Sequence, residues 1–236
     1  MYKMFVMMLV NVAVCASTPL AFAQTLTTTK FADAAVNLVI PKGHCIIPRD
    51  DELGALHYKL QEDGNQGRNK VAILFANCRE WAQRKKNPSL LLYNHGGYLF
   101  QLTQGQERLL PATTTRADLV KIYVDYELKS DGSGRKDIAE RIRQKLANSS
   151  VASPELLGNL NIGLIDRDER GAFTGVGGTF VYDGKPVRFV GVVGATTTRS
   201  VPITINLYGP SGKGNPFREL LIQQKDTVRQ VIAANE

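Results

Sequence analysis

Between Leu160 and Pro210 four short runs rich in valine, isoleucine, threonine and aromatic residues follow one another, each closed by turn chemistry. Leu160–Ile165 ends at Asp166-Arg167-Asp168-Glu169, Ala172–Tyr182 at Asp183-Gly184-Lys185, Val187–Thr198 at Arg199-Ser200, and Val201–Tyr208 at Gly209-Pro210. Such residues suit a pleated, half-buried surface, and Asp-Gly between two runs is a strong hairpin signal. The pattern predicts an antiparallel meander that makes most of one sheet.

Elsewhere the period changes. After the flexible Ser211–Gly214, Asn215-Pro216 is a helix start, an Asn cap followed by proline at the first helical position. Phe217, Leu220, Leu221, Val228, Val231 and Ile232 then line one face, so a helix of about 18 residues should dock on the preceding sheet. Leu53, Leu56 and Leu60 predict a helix within Arg49–Asp63, with Asp50, Asp51 and Glu52 suiting its positive end. His57 lies beside that apolar stripe and is expected to be structural. Leu119, Val120, Tyr123, Val124 and Leu128 predict a helix capped by Thr114 or Thr115. Ile138, Ile142 and Leu146 predict another from Lys136 to Asn148, with Ser149–Pro154 as a connector.

Four strand signals lie in the first half. Val36–Ile40 ends at Pro41-Lys42-Gly43, and Val71–Phe75 is apolar throughout, as for a strand covered on both faces. Leu90–Tyr93 and Tyr98–Leu102, separated by Asn94-His95-Gly96-Gly97, predict a hairpin with His95 exposed at its tip. Asn77 should cap a short helix running to Lys86. Gln24–Lys30, rich in threonine, is expected to be a loose lead. The fold class is α+β: an antiparallel meander sheet covered by helices.

Composition adds the compartment. Residues 1–23 combine a cationic start, the apolar run Met4–Val14 and a small-x-small site at Ala21-Phe22-Ala23, the layout of a cleaved signal peptide. Cleavage before Gln24 leaves 24–236 as one α+β domain, with halves 24–130 and 131–236. Cys15 invites a lipoprotein reading, but Val14 precedes it where a small residue is usual. The apolar run is too short to span a bilayer and no later segment is longer, so no transmembrane segment is expected after cleavage. The expected location is periplasmic or secreted. The net charge of +7 is below that of a dedicated nucleic-acid binder, and fits an anionic envelope component or an acidic protein. Arg79, Arg84, Lys85 and Lys86, with Arg135, Lys136, Arg141 and Arg143, are the candidate contacts.

Removing Cys15 leaves Cys45 and Cys78 in an oxidising compartment, where a disulfide is expected. It would close a loop of roughly 30 residues, worth about 3–4 kcal/mol in the chain-entropy model. The competing reading is a reactive thiol at Cys45 beside His44, although strand neighbours point to opposite faces.

The remaining motifs fail on their partners. Gly209–Gly214 resembles a phosphate loop, but Leu207 stands where glycine is needed and no Ser or Thr follows Lys213. Gly175-Val176-Gly177-Gly178 lies inside a strand run, where glycine allows a bulge or close packing. Ser133-Gly134-Arg135-Lys136 has Ser-x-x-Lys spacing without its companion motifs. Asp166, Asp168 and Glu169 lack EF-hand spacing for calcium, and no two histidines have zinc-ligand spacing. Asn148-Ser149-Ser150 is a glycosylation sequon only in a eukaryotic secretory pathway. No catalytic residue, metal or cofactor is assigned.

Phe31–Cys45, with its Pro-Lys-Gly-His-Cys turn, and the later Asn77-Cys78 resemble exported bacterial proteins of uncharacterised function. The order helix, meander, terminal helix over Arg135–Ala234 is similar to the PsbP-like α/β/α sandwich. That resemblance implies a docking module among extrinsic photosystem subunits and related accessory proteins, with no catalytic residue to carry over. The expectation is an exported, non-catalytic protein that binds a protein or anionic envelope partner. Alternatives are a hydrolase of an envelope polymer using His95 or the Asp166–Glu169 cluster, and a small-ligand or lipid carrier.

Overall fold

The computed structural model describes residues 25–65, 67–129, 155–182, 185–211 and 215–236. Strands β1 (Thr25–Phe31), β2 (Ala34–Ile40) and β3 (His44–Ile46) lead into helix α1 (Glu52–Asn65). Strand β4 (Asn69–Asn77), helix α2 (Cys78–Lys86), strand β5 (His95–Gln101) and helix α3 (Arg116–Lys129) follow. The second half contributes β6 (Glu155–Asp168), β7 (Gly171–Tyr182), β8 (Lys185–Thr198), β9 (Val201–Pro210) and a terminal helix, α4 (Pro216–Ala233).

Seven strands form one antiparallel sheet in the order β3-β4-β5-β9-β8-β7-β6. The β6–β9 meander is therefore half of a larger sheet, and β9 carries it onto β5 in the first half. Its β7–β8 turn at 183–184 lies outside the described residues, as does the helix expected over Lys136–Asn148. The β8–β9 turn places both Arg199 and Ser200 at positive φ, 48° and 61°, as the twist of a two-residue hairpin turn requires.

Alternation assigns the two faces. Phe75, Tyr98, Phe100, Ile203, Ile205 and Leu207 pack with Val228, Val231 and Ile232 of α4 and with Phe31, Val36 and Leu38 of β1 and β2. Leu74, Ala76 and Leu99 point the other way and pack with Ile47, Tyr58 of α1 and Trp81 of α2. A register shift between Val71 and Ile73 explains why these residues, two apart, join opposite faces. α3 closes the same side further along, Val120 and Val124 meeting Ala172. The result is α/β/α: α1, α2 and α3, then the sheet, then α4 with the β1–β2 hairpin.

Side-chain caps fix the starts of α2, α4 and α3. Asn77 accepts from the backbone N–H groups of Arg79 and Glu80, and Asn215 accepts from that of Arg218 with Pro216 behind it. At α3 the Asp118 N–H donates to Thr115 Oγ1 (3.1 Å) while the Thr115 N–H donates to Asp118 Oδ2 (2.9 Å), a reciprocal box. The Thr115 hydroxyl, which also donates to Asp118 Oδ2 (2.7 Å), and then the Thr115 N–H hold the Asp118 carboxyl below its ordinary range.

Two expectations are corrected. Of the Gln24–Lys30 lead, Thr25–Lys30 is not loose: β1 pairs with β2 from Thr25↔Ile40 to Phe31↔Ala34, because Phe31, fully buried, anchors an otherwise polar strand. Leu90–Tyr93 forms no strand, and His95 is the first residue of β5 instead of a loop tip. Gly96 and Gly97 are there for packing. A Cβ on Gly96 would lie 2.1 Å from the Asn206 carbonyl oxygen and 2.7 Å from the Phe75 ring, and one on Gly97 would lie 2.7 Å from Leu74.

Candidate functional site

The arrangement that brings polar groups together starts from α1. The amide N–H of Gly54 donates to Asp51 Oδ1 (2.9 Å) at its start. One turn on, the Leu74 N–H donates to Tyr58 Oη (2.9 Å), fastening the helix to β4. With Tyr58 fixed, the neighbouring His57 and Gln61 stand over the sheet towards β5. His57 sits against Trp81 edge to face, ring centroids 5.8 Å apart.

α2 sets the other wall. Its Glu80 carboxylate accepts from the backbone N–H groups of Tyr93 (2.9 Å) and Asn94 (3.0 Å) and from the Asn94 amide. That clamp directs the chain into β5 and places His95 opposite Tyr208 of β9.

Between these parts lies a cavity of about 50 Å³. Its polar lining is His57, Gln61, His95, Asn206 and Tyr208, and Ile47, Leu74, Leu92 and Leu99 supply apolar wall. His57 and His95 keep some exposed surface as residues, yet His57 Nε2, His95 Nδ1 and Asn206 Oδ1 are out of solvent and without a hydrogen-bond partner among the described residues. Burial first, then the positive charge of Arg84 and the second imidazole, lower the His57 pKa from 6.5 to about 4, against a smaller opposing pull from Asp51. Burial likewise lowers that of His95 to about 4, although the carbonyls of Tyr93 and Leu92 and the Glu80 charge favour its protonated form. Both rings are neutral at neutral pH. Burial alone pushes the Tyr208 hydroxyl up to about 12.

The candidate surface residues are distributed differently from their order in the sequence. Arg84 turns inward and donates to the Leu90 carbonyl, and Lys85 pairs with Asp51 at 3.5 Å. Arg79 and Lys86 are exposed and make no ion pair among the described residues. Arg135, Lys136, Arg141 and Arg143 lie outside the described residues. Cys45 and Cys78 form the expected disulfide, tying β3 to the first residue of α2. The expected charged turn from Asp166 is strand as far as Asp168, and this end of β6 is engaged too: Lys225 of α4 bridges Asp166 (2.8 Å) and Asp168 (3.3 Å). Among the described residues no group of three or more His, Cys, Asp and Glu side chains is placed to hold a metal ion. His44 stands apart from the cavity, its Nδ1 3.2 Å from the Lys42 carbonyl oxygen.

Asn206 and Tyr208 carried no local signal of a site. The signal available was positional: they are polar residues on one face of β9, alternating with Ile205 and Leu207, in a strand central to the sheet. A wider, open depression of about 260 Å³ at the start of α4 borders Asn94, Pro210 and Leu220, and none of its lining residues carries a buried atom without a partner.

Comparison with protein-family models and with curated proteins finds no match. Among solved structures the chain is similar to the solution structure of cyanobacterial PsbP from Synechocystis sp. PCC 6803. The two are 12% identical over 94% of this chain and 96% of that one, with a TM-score of 0.34. It is also similar to the Saccharomyces cerevisiae Ran-binding protein Mog1p, 13% identical over 90% and 93% of the two chains, TM-score 0.33. Overlaps this low carry no argument, and the architecture rests on the strand order and packing above.

Proposed function

We propose that this is an exported protein that works by binding, and that its ligand occupies the cavity between α1 and strands β5 and β9. The observation that supports the reading is that His57, His95 and Asn206 line one cavity while His57 Nε2, His95 Nδ1 and Asn206 Oδ1 have no partner among the described residues. A buried polar atom left unpaired costs about 1–3 kcal/mol, and a guest that supplies the bonds recovers that loss on binding. The N-terminal pattern of residues 1–23 and the Cys45–Cys78 bridge support periplasmic or secreted residence, where such a bridge persists.

Native mass spectrometry of the protein isolated without denaturation from the cells that export it tests the reading. A small non-covalent adduct is expected, absent from Asn206→Leu. Bare protein that also retains nothing from a small-molecule extract in equilibrium dialysis overturns it.

The hydrolase alternative asks for a histidine hydrogen-bonded to a carboxylate. Among the described residues His44, His57 and His95 make no hydrogen bond or ion pair to one. A lipid carrier asks for a cavity several times larger than this one. A second binding reading keeps the basic face of α2, on the observation that Arg79 and Lys86 remain exposed and without ion pairs among the described residues. Charge reversal at both that leaves capture of an envelope partner unchanged removes it.

A further inference from the structure

The chemistry of the cavity narrows what it can hold. By volume, a water needs roughly 10–15 Å³ of such space, so the 50 Å³ available admits an end group of roughly three or four heavy atoms. By charge, no Asp, Glu, Lys or Arg among the described residues lines the cavity, and the ionised groups nearby bond elsewhere. Asp51 meets Lys85, Glu80 meets the N–H groups of Tyr93 and Asn94, and Arg84 donates to the Leu90 carbonyl. What faces the cavity is dipolar. An ion entering it would lose its hydration with no counter-charge in contact, since Arg84 and Glu80 act on the two imidazoles from outside the lining, and that is far costlier than burying a neutral polar group that finds partners.

By hydrogen bonding, Asn206 Oδ1 is an acceptor only, so the guest must donate. Each imidazole nitrogen donates or accepts according to its tautomer, so the guest can be matched at His57 and His95 either way. The wall formed by Ile47, Leu74 and Leu92 suits a short apolar flank behind the polar end.

We propose that the cavity takes the neutral hydroxyl or primary-amide end of a small ligand, donating to Asn206 Oδ1 and bonding to His57 Nε2 and His95 Nδ1. This rests on the binding reading above. The test uses the intact protein with ¹⁵N-labelled histidines at pH 7, titrated separately with acetamide, ethylene glycol, inorganic phosphate and zinc chloride. Acetamide or ethylene glycol should shift the ring ¹⁵N resonances of His57 and His95 saturably and leave those of His44 in place. Asn206→Leu should weaken that response roughly ten-fold, the loss of one buried hydrogen bond. The wild-type titrations stand alone if the variant does not fold. Shifts of the two rings with phosphate or zinc, alone or beside the neutral probes, overturn the neutral class while leaving the cavity a binding site. No shift with any of the four probes overturns both.

Discussion

His95 and Tyr208 face each other across the β5–β9 pairing and stack, ring centroids 5.0 Å apart and planes 24° from parallel. The contact lies at the seam between the two halves of the sheet, so the same pair that lines the cavity also joins the first half to the meander. Stacked aromatic pairs contribute about 0.5–1.5 kcal/mol beyond their area burial. A double-mutant cycle with His95→Ala and Tyr208→Ala, measured by urea unfolding at pH 7, should give a coupling energy in that range. Losses that simply add, within about 0.3 kcal/mol, show the stack to be incidental.

The two imidazoles make stability depend on pH in a defined window. His57 and His95 fall from 6.5 to about 4 on folding, so between those values the unfolded chain binds more protons than the folded one. Stability therefore rises with pH across the window. It is fully present above about 6.5 and lost as pH falls towards 4. At ~1.4 kcal/mol per pKa unit, discounted because both residues keep some exposure, the loss is on the order of 2 kcal/mol per ring. The carboxyls of Asp51, Glu107, Asp118 and Asp166 are held low. Their losses develop mainly below the ordinary carboxylate values of 3.8 and 4.5, so the interval from 6.5 to 4.5 reports chiefly the histidines. Urea midpoints should drop across it in the wild type and much less in the His57→Phe, His95→Phe double variant. The remainder belongs to His44, which burial also lowers. A flat wild-type profile over that interval contradicts the account.

Much of this fold was legible because it is local. The meander announced itself by β-branched runs and turn residues, α4 by Asn215-Pro216 and a one-sided apolar face, and α2 by the Asn77 cap. The site was not legible in the same way. Asn94-His95-Gly96-Gly97 has the composition of a turn. The reason for its glycines, the close approach of Asn206 and of Phe75 and Leu74, comes from strands distant in sequence. Local chemistry and long-range packing ask for the same residue there, and the sequence alone offers only the former. The basic run of α2 misleads for a related reason. Helical geometry sends Arg84 to the Leu90 carbonyl and Lys85 to Asp51 while Arg79 and Lys86 stay outside.

That reading of Gly96 has a direct test. Alanine there would set its Cβ against the Asn206 carbonyl and the Phe75 ring. Both belong to strands flanking β5 and neither is the free end of a flexible chain. Gly96→Ala should cost about 1–3 kcal/mol, the range for overpacking a filled core, and should perturb the ring signals of His95. Gly43→Ala is a useful contrast, since nothing lies within 4 Å of its Cβ position and its φ of +80° makes the cost one of backbone strain. Equal effects of the two substitutions on the His95 ring would remove the packing argument.

The Cys45–Cys78 bridge joins the edge strand β3, only three residues long, to the N-terminus of α2. β3 is held otherwise by its pairing with β4 from His44↔Asn77 to Ile46↔Phe75. Opening the bridge restores loop freedom to the unfolded chain, roughly 3–4 kcal/mol for a sequence separation of 33. In the folded state the loss should fall first on β3 and the start of α2. A Cys45→Ala, Cys78→Ala variant should therefore unfold at lower urea by that amount or somewhat less. Faster amide exchange should be concentrated at Cys45, Ile46 and the first turn of α2, with the β8–β9 ladder unchanged. Since α2 carries Trp81 and Glu80, which position His57 and the entry to His95, the same variant should weaken any ligand response of the two imidazoles. A variant as stable as the wild type, or exchange that rises uniformly over the sheet, shows that the bridge does not organise this half.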